Sequence, residues 1–97
     1  MAGYVVLVQF TPQGETTVKN LPQRIDAVKK TAEGMGVHTV GVWLTMGQYD
    51  LVAIFDAPSD HVMGTLLMAL AGKGNGSSET MRAFSEDEIR SLVSKVP

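Results

Sequence analysis

A chain of 97 residues, 44% hydrophobic and with a net charge of −2, is long enough for one globular core and too ordinary in composition for a disordered segment. Its eight basic residues are scattered among ten acidic ones, which leaves no electrostatic footprint for nucleic acid, and no apolar run approaches the length of a membrane span. Zero cysteines exclude disulfides, thiolate catalysis and thiolate metal sites, and the N-terminus does not read as a signal peptide, so a cytoplasmic protein with no metal and no cofactor is expected.

Tyr4 to Phe10 is the first expected strand, ended by the turn-forming Thr11-Pro12-Gln13-Gly14. Pro22 suits the first turn of a helix, and Ile25, Val28, Ala32 and Met35 recur at helical spacing over Arg24 to Met35. Gly34 and Gly36 punctuate the end of that helix. Val37 to Leu44 and Tyr49 to Phe55 are both dense in β-formers, and Gly47-Gln48 between them fits a two-residue hairpin turn. Asp56-Ala57-Pro58 stops the second arm. Ser59 or Asp60 then caps a second helix that carries Val62, Met63, Leu66, Leu67 and Leu70. The Gly72 to Ser77 stretch reads as a flexible connector. It fails the phosphate-loop pattern because Lys73 is followed by glycine and a strand, not a helix, comes next. Glu79 to Phe84 is a shorter, more polar strand. Ser85-Glu86-Asp87-Glu88 forms a capping box that opens a terminal helix through Ile89, Leu92 and Val93.

The order βαββαβ with a short C-terminal helix is that of an α+β, ferredoxin-like antiparallel sheet in a single domain over residues 1–97. Strands one and three are apolar on both faces, which places them in the middle of the sheet. Both long helices cover one face, and the terminal helix is too short to cover four strands. A second copy is therefore the expected cover, as a homodimer or a higher even oligomer.

The hairpin sorts its side chains into two sets if Met46 pairs with Tyr49, Leu44 with Leu51 and Val42 with Ala53. Val40, Val42, Leu44, Met46, Tyr49, Leu51, Ala53 and Phe55 form the core set. Gly41, Trp43, Thr45, Asp50, Val52 and Ile54 form the other, joined by His38 if a bulge switches its side and otherwise by Thr39. Gln9 falls on this second, open face if Tyr4, Val6, Val8 and Phe10 face the helices. Polar groups set among apolar ones are how small pockets acquire specificity, so Gln9, Trp43, Thr45, Asp50 and Arg82 are the candidate ligand-binding residues. Three of them have a structural alternative: Asp50 as a clamp on turn amides, Trp43 as a subunit contact, Arg82 as an ion-pair partner. His38 and His61 are general bases by type only, since no second histidine, cysteine or serine completes a catalytic set. The first reading is a homo-oligomer that binds a small molecule between the open sheet face and a partner subunit or the second long helix. A cofactor-independent monooxygenase-like enzyme of the dimeric α/β-barrel type, with His38 or Asp50 as base, is the enzymatic alternative, and a ligand-free assembly module is the third reading.

Tyr4 through Phe10 with Thr11 and Gly14, Pro22-x-Arg24-x-x-Ala27, Gly47-x-Tyr49-Asp50, Ala57-Pro58-x-Asp60 and Thr80-x-Arg82-Ala83-Phe84-Ser85 together resemble the GYD-domain proteins. The resemblance covers nearly the whole chain and implies a ferredoxin-like fold assembled as a dimeric α/β barrel, with little implication for chemistry. The hairpin is also similar to the ligand-sensing domain of Lrp/AsnC regulators, which bind amino acids at subunit interfaces, without their helix-turn-helix part.

Overall fold

The computed structural model describes residues 1–97. Four strands, β1 (Ala2–Phe10), β2 (His38–Leu44), β3 (Leu51–Ala57) and β4 (Gly76–Ala83), make one antiparallel sheet in the order β2-β3-β1-β4. The two doubly apolar strands are thus the central pair, as their composition requires. Helix α2 (Leu21–Gly34) and helix α3 (Asp60–Ala71) lie on one face. There Tyr4, Val6, Ala53, Phe55 and Ala57 of the sheet meet Ala32, Met63 and Leu66 of the helices. Ser59 caps α3 by accepting from the Val62 amide, and Ser85 and Glu88 form a reciprocal capping box at the start of α4 (Glu86–Ser94). No helix is long and apolar enough to cross a membrane.

Several boundaries differ from those read in the sequence. Thr11 to Gly14 is not a simple turn. It starts a five-residue helix, α1 (Pro12–Thr16), because the Thr11 side chain accepts from the Gly14 amide and Pro12 takes the first helical position. Strand β4 begins at Gly76, three residues before Glu79, since pairing along β1 from Phe10↔Gly76 to Gly3↔Ala83 overrides the weak strand preference of Gly-Ser-Ser. The glycine segment ahead of it is not a loose connector. Thr11 Oγ1 donates to the Gly74 carbonyl at 2.6 Å, the Thr11 amide donates to the Asn75 carbonyl, and Gln13 Nε2 donates to the Lys73 carbonyl.

The hairpin keeps the expected pairs Val42↔Ala53 and Leu44↔Leu51, but its ladder stops there. Met46 and Tyr49 do not pair, because the Asp50 amide donates to the Val8 carbonyl across on β1, and the loop is closed instead by Thr45 N donating to the Asp50 carbonyl at 2.8 Å. Gly47 has φ +148°, a value open to glycine. A register shift between Thr39 and Gly41 makes Val40 a bulge. It turns Val40 out to solvent, leaves His38 opposite Asp56 and sets Thr39 opposite the core residue Phe55. Four residues assigned to the core set are therefore outside it: Val40 by the bulge, Leu44 and Met46 by their exposure at the hairpin tip, and Tyr49 because its hydroxyl turns to Glu79.

The core is thin. Only ten of 97 residues are buried, less than a stable domain of this size usually hides, so the bare face matters for the energetics of the fold.

Candidate functional site

Alternation along the strands determines what the bare face presents. Val5 and Leu7 of β1, Val52 and Ile54 of β3, Trp43 of β2 and Met81 of β4 share it by register, since Val5 pairs with Ile54 and Met81, and Val52 with Trp43. Trp43 is 50% exposed and lies flat along its own strand over Gly41, where a Cβ would fall 2.5 Å from the ring. Glycine at that position lets the indole lie down against the sheet. Helix α4 does not cover this face: Ile89, Leu92 and Val93 on its apolar side are each about half exposed or more. Two uncovered apolar surfaces, one on the sheet and one on α4, are the dominant features of the molecule's exterior.

At one end of this face the polar candidates converge on the hairpin loop. Gln9 Nε2 donates to the Gln48 carbonyl at 2.7 Å, Thr45 Oγ1 donates to the Tyr49 carbonyl at 2.6 Å, and Asp50 Oδ2 accepts from the Phe10 amide at 2.7 Å. Gln9, Thr45 and Asp50 are thus brought together, each engaged with backbone. The Phe10 amide lies beyond the last β1–β3 pair, so the Asp50 carboxylate replaces the ladder partner that the loop cannot provide. Tyr49 is not a core residue. Its hydroxyl donates to Glu79 Oε2 at 2.6 Å, and Glu79 pairs with Leu7 on the bare face. That carboxylate acceptor, with some desolvation, raises the phenol's pKa above its ordinary value.

Arg82 stands apart from that group. It pairs with Tyr4, whose side chain is in the core, so the alternation puts it on the helix-covered side. Its guanidinium lies 5.6 Å from the Tyr4 ring centre and 4.4 Å from that of Phe84, and pairs with Glu88 at 3.4 Å. The Tyr4 hydroxyl donates to the Asp60 carboxylate, which raises its pKa, with desolvation adding to the effect. Glu88 titrates below the usual carboxylate value chiefly because it accepts from the Ser85 amide. His38 and His61 are both exposed, and no side-chain hydrogen bond joins His38 to Asp56 although the two are opposite each other in the ladder. No group of three or more His, Cys, Asp or Glu side chains is placed to hold a metal ion.

The pattern reading missed a cavity of about 190 Å³ on the opposite side of the sheet, between the sheet and helices α2 and α3. Val6, Val8 and Phe10 form its floor, and Ile25, Val28 and Leu67 are among its walls. Arg24 also lines it, and a signal for this exists in the sequence. Leu21, Arg24, Ile25 and Val28 follow one another at helical spacing, which sets an arginine in an otherwise apolar stripe.

These features define a ferredoxin-like α+β domain with one sheet face bare, built around a Gly-x-Tyr-Asp hairpin end. The GYD domain family matches residues 4–93, and the chain belongs to it. A curated relative from Thermus thermophilus is 33% identical over 86 residues, covering 87% of this chain and 90% of its own length. That relative carries the name glutamine synthetase and cystathionine beta-lyase binding protein. A crystal structure of a Thermus thermophilus protein aligns with a TM-score of 0.56 at 21% identity, over 88% of this chain and 95% of that one, which shows the fold alone.

Proposed function

We propose that this chain is a homo-oligomeric, non-catalytic binding module of the cytoplasm, in which two copies close their bare sheet faces on each other as a dimeric α/β barrel. The observation that carries this reading is the uncovered sheet face itself. Val5, Leu7, Trp43, Val52, Ile54 and Met81 form a continuous apolar surface that no element of the same chain packs against. Sheet-on-sheet packing buries such a surface through a self-complementary contact. Trp43 supplies the kind of aromatic anchor around which interfaces concentrate their affinity. The name of the Thermus relative supports a role in holding other proteins, and α4, with its apolar side outward, is the element we assign to that contact.

An enzymatic role has less support. His38 and Asp50 lie at opposite ends of the hairpin, and Asp50 is already engaged by the Phe10 amide. The small-molecule role expected between the open sheet face and a partner subunit or the second long helix has the same difficulty, since Gln9, Thr45 and Asp50 are bonded to backbone and Arg82 is on the other face.

The only tryptophan reports directly on assembly. Trp43 emission should lie to the blue in concentrated protein and move to the red on serial dilution, as the indole leaves the interface. An emission maximum that stays at the red, solvent-exposed position at every concentration would rule the interface out.

A further inference from the structure

The cavity between the sheet and the helices carries an inference independent of assembly, because it opens on the opposite face. Fourteen of its 19 lining residues are hydrophobic. The charged ones are Arg24 and Lys73, both basic, and no aspartate or glutamate lines it. The arginine is also incompletely satisfied. Arg24 enters none of the chain's ion pairs, its Nη2 donates to the Gly14 carbonyl at 3.3 Å, and its guanidinium lies 5.9 Å from the Phe10 ring centre. Its Nε is buried and has no hydrogen-bond partner. A buried N–H without an acceptor is costly, and on a half-buried guanidinium an anionic acceptor completes it best.

We propose that this cavity binds a small organic monocarboxylate with a compact apolar body, an aromatic ring or a short branched chain, whose carboxylate is received by Arg24. Size sets the body: an apolar cavity of about 150 Å³ accepts benzene, so about 190 Å³ accommodates one ring and a carboxyl group. Charge sets the head group, since guanidinium geometry suits a carboxylate and Lys73 adds to the positive potential at the mouth. The apolar lining excludes a highly hydroxylated or multiply charged ligand, which would lose its hydration without replacement.

The test uses phenylacetate, 2-phenylethanol and acetate as probes against ¹⁵N-labelled protein. Phenylacetate should give saturable amide shifts at Phe10, Arg24, Leu67 and Asn75. Acetate lacks the ring and 2-phenylethanol lacks the charge, and each should bind roughly ten- to a hundredfold more weakly. Arg24→Gln should weaken phenylacetate by a similar factor while leaving 2-phenylethanol unchanged. Ala71→Phe, at an exposed position on the cavity's edge, should block both and provides a second variant if Arg24→Gln disturbs the fold. Three results would overturn the proposal: no saturable shift at millimolar phenylacetate, shifts confined to the bare sheet face, or equal binding of phenylacetate and 2-phenylethanol.

Discussion

Replacing Asp50 separates a structural clamp from a binding residue. Its carboxylate accepts the Phe10 amide at 2.7 Å in a half-buried setting, beyond the last β1–β3 pair. Asp50→Ala removes a charge-assisted hydrogen bond of ~1.5–3 kcal/mol and takes this acceptor from the backbone donor. Because the site is only half buried, water can reach part of it and the lower end applies, about 1.5 kcal/mol. For a domain of this size that is roughly 6–12 °C in melting temperature. Asp50→Asn keeps an oxygen acceptor of the same shape and should cost only ~0.5 kcal/mol. Urea denaturation of all three proteins is the assay, at one fixed concentration because self-association adds to apparent stability. If alanine and asparagine destabilise equally, or neither moves the midpoint, the carboxylate is not the clamp and a ligand or partner role for Asp50 returns.

Trp43→Asp should dissociate the assembly, with a loss of ~2 kcal/mol or more in association, and light scattering on the variant checks it. Deleting Gly74 to Gly76 should destabilise by ~2 kcal/mol or more, since it removes the acceptors of the Thr11 hydroxyl and amide and the first residue of β4; thermal denaturation measures this. The two tyrosines, Tyr4 and Tyr49, both donate to carboxylates and titrate above 10.0, so the folded state holds their protons more tightly than the unfolded chain does. Their contribution to stability is full below the ordinary phenol value and is lost as pH rises through the raised ones. An absorbance titration at 295 nm should therefore show no ionisation at the ordinary value, and Tyr49→Phe should remove one of the two late transitions. Glu88 has the opposite sign. Its lowered pKa stabilises the start of α4 above the unfolded carboxylate value and loses that effect as pH falls through the folded one, which amide exchange in α4 at acid pH would report.

The fold was legible because each element carries its own local signal. Period-2 and helical spacing, the Ser59 and Ser85 caps and the doubly apolar strands β1 and β3 all point to one topology. The face assignments were less legible where geometry departs from the ideal. One extra residue at Val40 reverses the sides of His38 and Thr39, and a hairpin ladder that stops at Leu44 frees Tyr49 to cross to Glu79. Neither event has a local sequence signature, because both depend on what β1 offers across the sheet. Alternation gathers Gln9, Thr45 and Asp50 at the hairpin end, but spacing could not reveal that each is already bonded to backbone. Arg82 was unreadable until the register of β4 fixed its side. Arg24 was hidden for another reason: long basic side chains often lie along apolar helix stripes, and only three-dimensional packing exposes an unpaired Nε.

Sedimentation equilibrium of the wild-type chain across the micromolar range tests the central claim most directly. The bare sheet face predicts a particle of twice the 10.4 kDa chain mass, or a higher even multiple, at all but the lowest concentrations. A single species of 10.4 kDa throughout that range would contradict it and would mean that Val5, Leu7, Trp43, Val52, Ile54 and Met81 face water in the working protein.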